Sequence, residues 1–120
     1  MHFWNRFHDM LAPLESDGLL RRSIMPGECQ HDAHMYYVAL SNAGTKQAIL
    51  GAFRSANISA VFHHVPLHTS PAGRRFGHAA DELPATIAHA ERLVQSPLWV
   101  GLSAAQQDRV VETLAAAIRH

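Results

Sequence analysis

Lysine and cysteine are nearly missing from this chain: Lys46 and Cys29 are the sole representatives of each among 120 residues. A lone thiol excludes an intrachain disulfide framework and fits a reducing compartment, so a cytoplasmic protein is expected. A lone lysine leaves a single side-chain amine for any chemistry that needs one. Charge of either sign is not in excess either, since ten Lys and Arg stand against ten Asp and Glu. Without a basic field to neutralise a phosphate backbone, nucleic acid is not an expected partner. No apolar run approaches the ~18 residues of a membrane span. The opening Met1-His2-Phe3-Trp4-Asn5-Arg6 lacks the long apolar core of a secretory leader. Neither a membrane nor export is therefore expected. No CxxC or HExxH is present, and no GxSxG, P-loop or GxGxxG.

What is present describes a folded domain. Hydrophobic residues make up 48% and charged residues 17% of the chain, which argues against disorder. A single domain of this length buries roughly two thirds of its unfolded surface. Phe3, Phe7, Met10, Leu11 and Leu14 recur at helical spacing, predicting an amphipathic helix over residues 2 to 12 that Pro13 ends or kinks. An apolar face at residues 3 to 14 needs something to pack on, and a missing neighbour or a second copy would supply it. Leu19 to Met25 reads as extended. Met35 to Leu40 is the clearest strand, closed by Ser41-Asn42-Ala43-Gly44. A surface helix follows over residues 45 to 56, with Thr45 as N-cap, Ile49, Leu50 and Phe53 inward, and Asn57 in a left-handed C-terminal position.

Ile58 to Phe62 reads as the next strand. A third helix opens over Asp81 to Pro84 and runs to Val94, with Ile87, Ala90, Leu93 and Val94 inward. Asp81 and Glu82 would serve its dipole. Pro97 to Val100 reads as a short extended piece. Ser103 with Gln106 forms a capping box for the last helix, which buries Val110, Val111, Leu114 and Ile118. Alternating strands and helices predict an α/β two-layer sandwich around a sheet of three strands.

Ten histidines raise the question of a metal. His63, His64 and His68 cluster, as do Cys29, His31 and His34, but neither set has the four ligands at defined spacing of a structural zinc site. His63 and His64 would face opposite sides of a strand. His2, His78, His89 and His120 read as ordinary surface residues. Cys29 near His31 lacks the context of a thiol nucleophile. No catalytic residue and no metal ligand is expected. A binding role is left for Phe62 to Gly77, where Pro66 and Pro71 stop regular structure. Its histidines can bond sugar hydroxyls or phosphate oxygens, and Arg74 or Arg75 can pair with an anion. A tight loop whose histidines merely satisfy backbone groups is the alternative.

Three stretches in order carry a family likeness: Asp32 to Val38, Ile58 to Gly73, and Ala90 to Leu98. Leu102-Ser103 with Gln106 to Val110 adds a fourth. Together they resemble the C-terminal region of the DegT/DnrJ/StrS sugar-nucleotide aminotransferases, most like the dTDP-4-amino-4,6-dideoxyhexose transaminase branch. The resemblance covers essentially the whole chain. It implies an α/β two-layer sandwich with a small, mainly antiparallel sheet, like the C-terminal small domain of fold-type I PLP-dependent transferases. In such enzymes the cofactor lysine, the carboxylate on the pyridine nitrogen and most phosphate ligands lie in a large domain. PLP would thus belong to the full-length family, with none held by this chain alone. Lys46, in the first turn of the predicted surface helix, matches no Schiff-base motif.

His63, Pro66, Leu67 and His68 match the family pattern His-Tyr-x-Pro-Leu-His, with His64 in the tyrosine's place. The resemblance implies that His63 and His68 contact the sugar-nucleotide substrate, with His64, Ser70 and Arg74 as further candidates. A whole enzyme would move an amino group, typically from glutamate, to a dTDP-4-keto-6-deoxyhexose. This chain is expected to be inactive alone, with a large-domain chain or a second copy as partner. A non-catalytic interaction or regulatory module retaining the fold is the alternative.

Overall fold

Four short strands, all paired antiparallel, form one sheet in the order β1 (Leu20–Arg22), β2 (Tyr36–Leu40), β4 (Leu93–Ser96), β3 (Val61–Phe62). The computed structural model describes residues 2–62, 65–79 and 82–120. Six α-helices among the described residues complete it: α1 (His2–Met10), α2 (Ala12–Ser16), α3 (Lys46–Ser55), α4 (Pro71–Phe76), α5 (Pro84–Arg92) and α6 (Ala104–Ile118). The small, antiparallel α/β sandwich expected from the sequence is the fold observed. Among the described residues no helix is long and apolar enough to cross a membrane.

Strand alternation decides which side chains enter the core. Leu20 pairs with Leu40 and Val38 with Val94, and all four are buried together with Tyr36. Ile49 and Phe53 of α3 and Val110, Leu114 and Ile118 of α6 pack in the same cluster. Trp4, Phe7, Leu11 and Leu14 complete it, with Phe7 fully buried. The expected uncovered face at residues 3 to 14 is therefore not found; the chain covers it with its own sheet and α6. Trp4 Nε1–H donates to Met35 O at 3.1 Å, Gln107 Nε2 to Phe3 O at 2.8 Å, and Arg6 pairs with Asp108 at 2.7 Å. As the proline requires, the first helix breaks at Leu11, and Pro13 sits in the first turn of α2.

Several helix signals held at single-residue level. Ser103 accepts from Gln106 N, and the Gln106 side chain bonds back to Ser103 N, closing the capping box. Asn57 follows α3 with φ 55°. Thr45 is the N-cap of α3, although its hydroxyl donates back to Asn42 O at 2.8 Å rather than capping.

Four expectations need correcting. The third helix stops at Arg92, and Leu93 to Ser96 is a central strand rather than a last helical turn. Two apolar residues, Leu93 and Val94, fit both periods, and here pairing with β2 decides in favour of the strand. Pro97 to Val100 is not a strand; Val100 is almost wholly exposed in a turn. The sheet thus has four strands, not three. Lys46 is buried rather than on the surface, and its Nζ donates to Ala90 O at 2.6 Å, near the C-terminus of α5. Burial pushes its pKa down, against the opposing pull of Glu91.

A polar corner closes the core where α1, α2 and β1 meet. Arg22 donates from Nε to Glu15 Oε2 at 2.6 Å, from its backbone N to Glu15 Oε1 at 2.9 Å, and from Nη1 to His8 O at 2.6 Å. His8 stacks on Trp4 at 5.1 Å, and its Nδ1 lies 3.3 Å from the Tyr36 hydroxyl. The backbone bond from Arg22, then its side-chain bond, hold the Glu15 carboxyl below its usual range. Burial, helped by Arg22, pushes His8 below its ordinary 6.5. Both folded-state values lie below the unfolded ones, so acid loads the unfolded state with more protons. Each contribution is complete above the group's unfolded pKa and is lost as pH falls through the folded one. We expect the unfolding midpoint to drop in two windows, one from about pH 6.5 downward for His8 and one from about pH 4.3 downward for Glu15. Thermal melts of His8→Gln should lack the upper step and those of Glu15→Gln the lower. An unchanged profile in both variants would refute this assignment.

Candidate functional site

The sequence Val65 to Gly77 folds as a chain of small turns, each with an identifiable cause. Pro66 is extended and precedes a 3₁₀ turn over Leu67–Thr69, whose Thr69 Oγ1 donates to Pro66 O at 3.0 Å. Ser70 then caps α4: its Oγ accepts from Gly73 N at 2.9 Å and donates to Leu67 O at 2.8 Å. Pro71 occupies the first helical position, where its missing donor costs nothing. Gly73 is required by contact rather than by φ, because a Cβ there would lie 1.6 Å from Leu67 O.

This segment forms one wall of an open cleft of about 1330 Å³, and the start of α5 forms the other. His68, Arg74, Phe76 and His78 line the first wall; Glu82 and Leu83 belong to the second. His68 ties the walls together, its Nε2 lying 2.8 Å from Glu82 O. A carbonyl only accepts, so Nε2 carries the proton, and Nδ1 is the acceptor that a neutral ring has left. Leu67 and Phe76 are about four-fifths exposed at the rim. The Arg75 guanidinium lies 5.0 Å from the Phe76 ring centre. Leu83 enters α5 in a left-handed conformation, φ 51°, just before Pro84.

Of the residues singled out from sequence, His68 and Arg74 come together on this cleft. Ser70 builds its wall through the cap. His63 and His64 lie outside the described residues, as does Asp81. Sequence reading missed Phe76, Leu83 and Glu82 as lining residues, and took His78 for plain surface. An aromatic between Arg75 and Gly77, in a segment already marked by prolines, was the available signal for Phe76.

Chemically the cleft offers a guanidinium, two imidazoles, the carboxylate of Glu82 and exposed apolar surface around them. Such a set can pair with an anionic group and bond hydroxyls beside an apolar portion. It does not hold a cofactor aldehyde: the only lysine is buried against the end of α5 with Nζ on Ala90 O. A Schiff-base amine must instead reach into a pocket. Among the described residues no three His, Cys, Asp or Glu side chains gather as a metal would need.

Residues 2–115 match the model of the DegT/DnrJ/EryC1/StrS aminotransferase family. Solved structures share the fold. The aminotransferase TlmJ from Streptoalloteichus hindustanus is 22% identical, with 98% of this chain and 30% of that one covered and a TM-score of 0.84. The ntda protein of Bacillus subtilis, with bound cofactor PMP, is 18% identical over 99% of this chain and 27% of its own, at a TM-score of 0.83. DesV of S. venezuelae is 18% identical over 99% and 31%, at 0.81. At these identities the likeness is one of fold. This chain spans under a third of each of these relatives.

Gly73→Ala tests the cleft wall separately from the core. The added methyl would collide with Leu67 O, so the turn over Leu67–Thr69 and the start of α4 must part, costing about 1–3 kcal/mol. Hydrogen exchange should show protection lost at Ser70, Gly73 and Arg74, while amides in β2 and α6 remain protected. Protection retained at Gly73 would show that this close approach is not needed.

Proposed function

The chain belongs to the DegT/DnrJ/EryC1/StrS aminotransferase family, and from that premise we propose that it serves as the substrate-side small domain of a PLP-dependent sugar-nucleotide aminotransferase. The cleft beside α4 binds the nucleotide-sugar substrate, a dTDP-4-keto-6-deoxyhexose. Arg74 pairs with its diphosphate, and His68 uses Nδ1 toward a sugar hydroxyl. His63 and His64, earlier in the same segment, extend these contacts. Ser70 holds the wall in shape. The observation that carries the reading is the meeting of His68 and Arg74 on one cleft, within the stretch that matches the family.

The residues here do not fit the cofactor, so no chemical step is assigned to them. The cofactor amine comes from outside these 120 residues, in the same polypeptide or in a companion chain that packs beside this domain. What this chain supplies is substrate shape, charge pairing and exclusion of water. A cytoplasmic setting accompanies the reading, in keeping with its lone exposed thiol, Cys29.

Calorimetric titration of the chain with a dTDP-sugar tests the proposal. Saturable binding is expected, weakened about tenfold or more by Arg74→Ala through loss of a charge-assisted bond. His68→Ala should weaken it as well. No binding at all would favour a non-catalytic module that kept the fold. Borohydride treatment with PLP, read by mass spectrometry, addresses the amine. An adduct on Lys46 would overturn its exclusion.

A further inference from the structure

We propose that the outward face of the sheet carries a second ligand site, for a small molecule that joins one carboxylate to a compact apolar body. The site follows from the strand register. Arg21 of β1 lies opposite Ala39 of β2, and Ala39 lies opposite Leu93 of β4. One row across the face therefore reads arginine, alanine, leucine. A methyl group between two long side chains leaves a hollow, and the structure contains one of about 390 Å³ at that place. This is within the roughly 300–1,000 Å³ of small-molecule pockets. Tyr37, two residues from Ala39 and so on the same face, borders it, with Ile24 and Met35 from the flanking segments and His89 from the last turn of α5.

The lining chooses the ligand class. Its walls are largely apolar, and no Asp or Glu is among them. Two arginines reach it, but the guanidinium of Arg22 is already paired with Glu15 at 2.6 Å and donates to His8 O. Arg21 is exposed, and among the described residues no carboxylate pairs with it. One uncommitted guanidinium fork matches one carboxylate, through two parallel N–H···O bonds. A phosphate dianion would call for a second cation, which Arg22 does not offer. The Tyr37 hydroxyl and the His89 ring add polar groups at the rim. This hollow shares no lining residue with the cleft beside α4, so it stands apart from the function proposed above.

Benzoate and its uncharged isostere benzamide, titrated into the isotope-labelled chain and followed by amide NMR shifts, test the site. Benzoate should give saturable shifts at Arg21, Ala39 and Leu93, with benzamide weaker by about tenfold or more. Arg21→Gln should bring benzoate down to the benzamide level, and Arg21→Lys should keep part of the affinity. Ala39→Leu, which fills the hollow from an outward position, should abolish binding while the melting profile stays that of a folded chain. Equal binding of the two probes, benzoate bound undiminished by Ala39→Leu, or shifts confined to Arg74 and the cleft would each overturn the proposal. So would the lack of any saturable shift.

Discussion

The register of β2 between β1 and β4 constrains everything else in this chain. Its five residues alternate strictly, with Tyr36, Val38 and Leu40 buried and Tyr37 and Ala39 facing outward. A slip by one residue would exchange the two sets and send a tyrosine, a valine and a leucine into water. The core against α3 and α6, the hollow at Ala39 and the outward position of Arg21 all presuppose the same pairing. Register matters more here than in a larger sheet, because β3 has two residues and β1 three, too few to correct an error through backbone bonds alone.

Hydrogen bonds at the ends of β2, most of them from side chains, fix that register. Before it, Trp4 Nε1 holds Met35 O; after it, Ser41 Oγ donates to Gly18 O at 2.6 Å and Ser41 N to Leu19 O at 3.1 Å. Ser23, beyond β1, donates to Tyr37 O at 2.6 Å and prolongs the pairing by one residue. The Glu15–Arg22 pair pins β1 to α2. An apolar first helix is accordingly part of the fold's own closure. Gln107 binds it from the far side, at the cost of leaving its Oε1 buried with no partner among the described residues.

Legibility in the sequence tracked how local each cause is. The capping box at Ser103, the proline break near Leu11 and the left-handed Asn57 depend on neighbours a few residues away, and each was readable. β4 was not, because its helical and extended patterns are equivalent until β2 is beside it. The burial of Lys46 was hidden for the same reason: its partner carbonyl, Ala90, lies 44 residues on. His68 and Arg74 could be picked out within one unusual segment, whereas Glu82 and Leu83 reach the cleft only because α5 folds back beside it. Local motifs mark one wall of the cleft and carry no information about the other.

Lys46 also ties the end of α5 to the start of α3. Its ammonium, at the start of α3, meets a carbonyl near the end of α5, where the helix dipole is negative and a cation is favoured. That contact is where α5 must stop and hand the chain to β4. With its C-terminal end tied to α3 and the adjoining strand paired to β2, α5 presents its other end, at Leu83, to the cleft that His68 and Arg74 also line. The buried amine pulls down its own pKa through desolvation, a feature that in a pocket would suggest a nucleophile. Here the same shift belongs to a structural tie, because the amine faces a helix end instead of a cavity. Perturbed ionisation identifies chemistry only when the perturbed atom can reach a ligand, and the Lys46 amine donates to a carbonyl near a helix end.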